Sequence, residues 1–283
     1  MTRTRWKPFP HPDRHYDYAG ARLKASWSRL HQGDREPYPA AGGLKKLVDQ
    51  CPEFAPSGSL EQAAKDLQEA WRAYHRGEFG HAVELGLAVG PLGYGVANKA
   101  ANIYATYLET AQSAQLALFL ESAQRAESIF ARAGSVINAW YFHAQALGRY
   151  SQGISVVTAL AQGLGGKVKA SLEQTIRLEP RHADAHIAMG AYHAEVVHKV
   201  GSLIGGLTYG ASRDEAVRHF DAALKLNPHS AIARVEYARG LVMLFGNDEL
   251  AHATRLYQEA AACPPADAME RLDAELARSE LEE

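Results

Sequence analysis

The chain has 283 residues, 47% of them hydrophobic and 22% charged, which is enough to form one elongated or two compact domains with an ample core. The formal net charge of -2 at pH 7 excludes a strongly cationic nucleic-acid binder. The only two cysteines, Cys51 and Cys263, are far apart in the sequence, which favours a reducing compartment over a disulfide scaffold.

The N-terminal segment contains basic residues and prolines but no apolar stretch. Arg3, Arg5 and Lys7 are followed by prolines instead of the apolar core of a signal peptide, so we expect no secretory signal. We expect this segment to lie extended over other elements or to be mobile. No run of the chain approaches the roughly 18 apolar residues of a membrane-spanning helix. The sequence therefore predicts a cytoplasmic protein without a membrane span.

Helical periodicity begins after this segment. Apolar residues at helical spacing predict a helix over residues 16–30 and a shorter one over residues 44–50. Ser59 and Gln62 form a possible capping box at the start of a helix predicted over residues 59–76. We expect residues 1–56 to be an N-terminal extension, with one or two helices packed on a main domain of residues 57–283.

Turn residues and apolar stripes predict further helices along the main domain. Gly77 marks a turn, and stripes of small residues predict a helix pair around Tyr104 and Phe130. A stripe around Leu272 predicts a single helix at the C-terminal end. Caps, stripes and proline stops predict four more helices, over residues 136–150, 183–198, 213–226 and 231–244. No segment shows the alternation of a half-buried strand, so the predicted fold is all-α.

One register recurs three times in the C-terminal half of the chain. A large side chain precedes a proline by eight positions in each copy: Leu172 and Pro180, Phe220 and Pro228, Tyr257 and Pro265. A second pattern, with constant spacing, precedes each copy: Trp140, His143, Ala144 and Leu147; His186, Met189, Gly190 and His193; Arg234, Tyr237, Ala238 and Leu241. The two patterns alternate, so each predicted repeat is a pair of helices that ends near a proline.

These spacings are those of W-x2-L-G-x2-Y, A-x3-F and P, and the chain therefore resembles the tetratricopeptide repeat (TPR) family. The resemblance implies an all-α, right-handed solenoid of about five helical hairpins, closed by a C-terminal capping helix. It also implies that Trp140, Phe220 and Tyr257 are buried between helices. The family is defined by architecture and not by chemistry, so the resemblance implies binding without naming a ligand.

Two repeats carry Gly-rich inserts between their paired helices. Leu147 and Val168 are 21 positions apart, and His193 and Ala216 are 23 apart, whereas the family spacing is about nine. Three roles are open for these apolar inserts. They form ordered loops that cover the edge between repeats, line a ligand cavity, or contact a membrane face. The second insert supplies the side chains of a candidate ligand pocket: Leu203, Ile204, Leu207 and Tyr209.

The thirteen histidines raise the question of a metal site. His182, His186 and His193 are close in sequence, but His186 and His193 occupy positions that the TPR register assigns to helix packing. No H-E-x-x-H motif is present. The sequence therefore predicts packed histidines and no metal site.

A Gly-rich stretch ahead of Lys167 is similar to a phosphate-binding loop, but it fails the motif. Ala161 stands where the first glycine belongs, and Val168 stands where the magnesium-binding hydroxyl belongs. No nucleophile elbow and no Cys-His arrangement is present. We therefore predict no cofactor and no enzymatic activity.

In TPR proteins the first helices of successive repeats line a concave groove, and the resemblance assigns contact positions to this chain. Those positions hold amide, aromatic and basic side chains: Asn98, Asn102, Tyr141, Gln145, Arg149 and Arg239. Amides can hold a peptide backbone, and arginines supply charge-assisted hydrogen bonds. The lysines that complete the carboxylate clamp of the family have no counterparts here.

The sequence thus predicts a protein-protein interaction scaffold that binds a peptide or protein segment in its groove, without nucleic acid as a partner. The alternative is a small-ligand carrier or transport accessory with a pocket under the Gly-rich inserts. An open polar groove would favour the scaffold, and a closed apolar cavity would favour the carrier. The sequence does not specify the partner or the oligomeric state.

Overall fold

A computed structural model describes residues 6–282; residues 1–5, which include Arg3 and Arg5, and residue 283 lie outside this part. The described chain is all-α and contains no strand, as the sequence predicts. It divides into two compact units. The first consists of Met1–Leu30 and Glu36–Leu164, and the second of His31–Arg35 and Gly165–Glu283. The predicted boundary at residue 56 stays a prediction.

The first unit begins with a 3-10 turn at Arg14–Asp17. Its α-helices follow in chain order: α1 (Arg22–Leu30), α2 (Ala41–Gln50), α3 (Leu60–Arg76), α4 (Phe79–Val89), α5 (Tyr94–Tyr107), α6 (Gln112–Phe130), α7 (Ile137–Gln152) and α8 (Val156–Ala161). Helices α3 and α4 pack as a hairpin, as do α5 and α6, and α5 also contacts α3 and α7. This is the arrangement of consecutive helical hairpins that the repeat register predicts.

Local signals set the ends of α3. The Ser59 hydroxyl accepts a hydrogen bond from the Gln62 backbone N–H at 3.1 Å, which confirms the predicted N-terminal cap. Gly77 ends the helix with φ of 86°, a conformation that glycine adopts without steric cost. The chain then turns directly into α4.

The helix predicted over residues 16–30 is interrupted. Tyr18 and Gly20 adopt positive φ angles of 44° and 59°, and they separate the 3-10 turn from α1. A non-glycine residue rarely adopts positive φ, so apolar spacing alone does not reveal this break. The apolar face persists across it, since Tyr16, Leu23 and Trp27 are all buried.

The N-terminal segment lies extended against the first unit from Trp6 onward. The ring of Trp6 packs against Tyr104 with 4.4 Å between centroids, and the Lys7 backbone N–H donates to the Tyr104 hydroxyl at 3.1 Å. Phe9 occupies the space where a Cβ on Gly77 would stand. An extended segment was one of the two predicted behaviours, and the structure confirms it for residues 6–12.

The second unit contains the remaining α-helices of the described chain: α9 (Leu164–Leu178), α10 (Ala183–Val200), α11 (Ser202–Tyr209), α12 (Arg213–Leu226), α13 (Ala231–Phe245), α14 (Leu250–Ala261) and α15 (Ala268–Glu282). Helix α10 packs on α12 and α13, and α13 packs on α14. Helix α15 covers α13 and α14, and its Leu272 and Ala277 are buried. The predicted C-terminal capping helix is therefore confirmed.

Phe220 lies in the core of the second unit, as predicted. It is 1% exposed, and its ring stacks on Tyr237 with 5.0 Å between centroids. Gly190 on α10 and Gly240 on α13 make room for it, because a Cβ at either position would lie within 2.8 Å of the ring. Close helix approach around a large side chain is what the repeat register implies.

The burial predicted for Trp140 and Tyr257 is only partial, because both side chains are half-buried. Trp140 stacks on Phe130 at 3.8 Å, and its indole N–H donates to the Gly134 carbonyl, which holds its polar edge near the surface. Phe142 takes the interior place on α7 and is fully buried. Burial, and then the charge of Glu280, raise the pKa of Tyr257 to about 12.

The Gly-rich inserts contain short helices, α8 and α11, instead of the ordered loops that were one of their three open roles. The Ser155 hydroxyl caps α8 by accepting from the Thr158 N–H at 3.1 Å. Val157 is 77% exposed, so this side chain does not cover an apolar edge. Across residues 6–282, no helix is both long enough and apolar enough to cross a membrane.

Candidate functional site

Helices α5 and α7 bring three of the predicted contact residues into one hydrogen-bonded chain. The Asn102 side-chain amide on α5 donates to the Gln145 side-chain carbonyl on α7 at 2.9 Å. The Gln145 amide in turn donates to the Tyr141 hydroxyl at 3.5 Å. This set, which we call the amide chain, joins α5 to α7, two helices that pack against each other.

Asn98, one turn before Asn102 on α5, has a different partner. The Arg125 guanidinium on α6 donates to the Asn98 side-chain carbonyl at 2.8 Å and to the Ser122 hydroxyl at 3.2 Å. Burial lowers the pKa of Arg125, against the opposing effect of Glu121. Asn98 therefore provides a hydrogen-bond acceptor for the largely buried Arg125 guanidinium of its own hairpin. No sequence pattern predicts this contact, because the partner lies 27 positions away.

Burial separates the predicted contacts into two groups. Asn98 and Asn102 are each 1% exposed and Tyr141 is 6% exposed, whereas Gln145 and Arg149 are half-buried. The side-chain carbonyl of Asn102 is buried without a hydrogen-bond partner among the described residues. Gln145 and Arg149 are therefore accessible from solvent, whereas Asn102 contacts Gln145 from the interior.

Arg149 follows Gln145 by four positions on α7, so the two side chains share one helix face. Its guanidinium donates to the Gln152 side-chain carbonyl at 3.2 Å. An amide and a guanidinium on one face offer donors for peptide carbonyls and carboxylates.

Arg239 belongs to the second unit, where it is bound to the capping helix. Its guanidinium donates to Glu280 at 2.6 Å and lies 3.8 Å from Glu236. Burial acts to lower the pKa of Arg239, but the hydrogen bond to Glu280 and the two carboxylate charges outweigh it and raise that pKa. Arg239 thus already has two carboxylate partners.

The candidate ligand-pocket residues on α11 face solvent for the most part. Leu203 is 76% exposed, Ile204 is 56% exposed and Leu207 is 82% exposed. Tyr209 is half-buried beside Gly165. The first unit has a cavity of about 440 Å³ between α4, α5 and α6, with Trp6 in its wall, and none of the four predicted residues lines it.

A buried polar cluster between α10 and α12 was not predicted as a unit. His193 on α10 and Glu215 and His219 on α12 each offer one ligand-type atom, and these atoms lie within 4.8 Å of one another. His193 is 4% exposed and His219 is 6% exposed, while the Glu215 side chain is 42% exposed. His186 and His193 are buried, as their packing positions predict. The i, i+4 spacing of Glu215 and His219 was the signal that sequence reasoning missed.

Burial has the largest effect on the pKa values of the two histidines in this cluster and of the neighbouring His186. It lowers the pKa of His186 and of His193, and it lowers that of His219 to about 4, with a further contribution from His186. Hydrogen bonding to Arg218 lowers the pKa of Glu215. The cluster therefore contains neutral imidazoles beside an ionised carboxylate at neutral pH.

No protein-family model matches the sequence, and no curated protein matches it either. Among solved structures, a thermophilic TPR protein of Thermus thermophilus is similar to this chain. The sequence identity is 18%, the TM-score is 0.54, and the match covers 77% of this chain and 99% of that one. This likeness confirms the TPR-like, all-α fold that the register predicts.

Proposed function

We propose that this protein is a non-enzymatic scaffold that binds a peptide or protein segment along α5 and α7. The observation that supports this function best is the amide chain, in which a buried asparagine on α5 orients a half-buried glutamine on α7. The TPR-like fold supports the proposal by analogy only, since a fold alone does not determine function.

Gln145 and Arg149 are the proposed direct contacts. Asn102 occupies the carbonyl of Gln145 and the Tyr141 hydroxyl accepts from one of its amide hydrogens, which leaves the second amide hydrogen to donate to a backbone carbonyl of the partner. Arg149 would bind a carboxylate one turn further along the helix. Asn98, Asn102 and Tyr141 are positioning residues in this proposal.

The remaining features of the proposal come from charge and hydropathy. A net charge of -2 provides no general field for nucleic acid, so the proposed partner is a protein segment. Arg239 would add a contact only by exchanging Glu280 for a carboxylate of the partner. We propose a cytoplasmic location and no organic cofactor.

The test compares two double variants of matched composition. Gln145→Ala with Arg149→Ala removes the proposed contacts. Gln174→Ala with Arg177→Ala removes the same residue types from the exposed surface of α9, where Arg177 donates to Gln174 at 2.9 Å. Partners captured from the native cell by each tagged protein are quantified by mass spectrometry.

We expect the Gln145/Arg149 variant to lose capture of a defined partner by about tenfold or more, the effect of about 1.4 kcal/mol from one or two charge-assisted bonds. The Gln174/Arg177 variant should capture as much as wild type. Equal capture by all three proteins, with circular dichroism unchanged, would refute the proposed contacts.

The small-ligand carrier has weaker support. Its pocket needs Leu203, Ile204 and Leu207 to enclose a ligand, and all three are more than half exposed. An exposed apolar patch of this kind is more typical of a contact surface than of a closed cavity.

A further inference from the structure

The buried cluster between α10 and α12 has the donor set of a metal site. Two imidazoles and one carboxylate converge there from two packed helices, with their donor atoms within 4.8 Å. We propose that His193, Glu215 and His219 bind a divalent transition metal, with Zn²⁺ as the ion that this set suits best. Zinc accepts His₂Glu coordination with a water in the fourth position.

The helices hold the three residues in the required arrangement. Glu215 and His219 are one turn apart on α12, so both side chains lie on the same face. The Ser212 hydroxyl caps that helix by accepting from the Glu215 N–H at 3.2 Å. The His193 ring lies parallel to that of His219, with 5.8 Å between centroids. Glu215, as the exposed member, can move to close the remaining distance.

Hydrogen bonds beyond the cluster fix the tautomer of His219. The Pro180 carbonyl can only accept, so His186 Nε2 donates to it at 3.2 Å. In a neutral ring, His186 Nδ1 is then an acceptor, and it lies 2.8 Å from His219 Nδ1. His219 Nδ1 therefore carries the proton, and its Nε2 lone pair is available 3.8 Å from Glu215 Oε2. Such an outer partner is typical of metal-binding histidines.

A cation already spans two of the three ligands. The Arg218 guanidinium is ion-paired with Glu215, and its Nη2 lies 3.3 Å from His219 Nε2. Its side chain is 60% exposed, so it can swing into solvent when a metal replaces it. Arg218 is thus a competitor of the metal, and its removal should strengthen binding.

Coordination by His193 involves a small local exchange. The Ser212 backbone N–H donates to His193 Nδ1 over a long 3.3 Å contact, which places the ring proton on Nε2. Binding through Nδ1 exchanges this contact for the metal, whereas binding through Nε2 moves the ring proton to Nδ1, and either one gives up the Ser212 contact. The bound ion would link α10 to α12, the two helices that flank α11 in the sequence. It should therefore also raise the melting temperature of the protein.

The experiment measures binding of Zn²⁺ alone to the full chain after chelator treatment, by isothermal titration and by competition with a chromophoric chelator. We expect one Zn²⁺ per chain and a higher Tm on its addition. His219→Ala should weaken binding more than about 100-fold, since loss of even an outer partner costs 10–100-fold. Arg218→Ala should bind more tightly than wild type.

His252→Ala is the matched control, because His252 Nδ1 lies 3.0 Å from a Glu249 carboxylate oxygen in the same unit, and His252 is not part of the three-ligand group. It should bind as wild type does. Glu215→Gln keeps the size of an exposed side chain and replaces His219→Ala if that variant does not fold. Absence of wild-type binding, binding unaffected by Glu215→Gln, or weaker binding in Arg218→Ala would overturn the proposal.

Discussion

Gln145 depends on a buried neighbour for its orientation. Asn102 donates one good hydrogen bond to it, yet its own side-chain carbonyl is buried and unpaired among the described residues. An unpaired buried acceptor costs about 1–3 kcal/mol, which offsets the gain of about 0.5–1.5 kcal/mol from the bond. Asn102 therefore brings little net benefit to stability, and we propose that its role is to position Gln145.

The two asparagines on α5 should therefore differ in how much each contributes to the free energy of unfolding. Asn102→Ala should change the free energy of unfolding by less than about 1 kcal/mol, because gain and loss nearly cancel. Asn98→Ala should cost about 1.5–3 kcal/mol, because it removes an acceptor from the largely buried Arg125. Urea denaturation of both variants tests this, and a larger cost for Asn102→Ala would contradict it.

The sequence could place these residues on a helix face. It could not show which of their side chains the adjacent helices would bury. The family register put Asn98, Asn102 and Gln145 on the inner helices, and that placement depends only on local spacing. Whether an amide on such a face meets solvent depends on α6 and α7, whose approach is a tertiary property. The same reason explains why the three-ligand group of His193, Glu215 and His219 was missed.

Helix ends with strong local signals could be predicted, and weakly encoded elements could not. Ser59 caps α3 where predicted, and Ser212 caps α12 at the predicted start of that helix, since a cap depends on a few adjacent residues. Helices α8 and α11 are only six and eight residues long, and Gly205 and Gly206 lower the intrinsic propensity of α11. The formation of α11 therefore depends on contacts such as that of Lys169, which donates to the Tyr209 carbonyl at 2.9 Å.

Glycines in helices test the packing of the second unit. Gly240→Ala should destabilise by about 1–3 kcal/mol, because its Cβ would lie 2.7 Å from the Phe220 ring. Gly148→Ala on α7 meets no heavy atom within 4 Å and should stabilise by up to about 1 kcal/mol through helix propensity. Thermal unfolding of the two variants should show shifts of opposite sign, and shifts of the same sign would refute this packing.

Phe220 itself should be the most sensitive position in that packing. Phe220→Ala should cost about 3–5 kcal/mol, because it leaves a cavity between α10, α12 and α13. Val157→Ala, at a site 77% exposed, should stay within about 0.5 kcal/mol of wild type. A denaturation curve for Phe220→Ala shifted by less than about 1 kcal/mol would show that Phe220 is not a core residue.

At the scale of the whole molecule, the chain forms two compact units of helical hairpins with a TPR-like fold. The residues predicted as an extension take part in the first unit, where Trp27 packs edge-on against Trp71 at 5.7 Å. Residues 31–35 belong to the second unit, and the Asp184 N–H donates to the Gly33 carbonyl at 3.2 Å. Repeat spacing could predict the hairpins, whereas the division into units depends on contacts distant in sequence.

The scaffold proposal is tested most directly by the affinity of one captured partner for two double variants. Gln145→Ala with Arg149→Ala alters the α7 face, and Leu203→Ser with Leu207→Ser alters the exposed face of α11. We expect the first to raise the Kd by at least about tenfold and the second to leave it unchanged, with circular dichroism and Tm preserved in both. Wild-type affinity in the first variant together with lost affinity in the second would contradict the account and place the binding site on the insert.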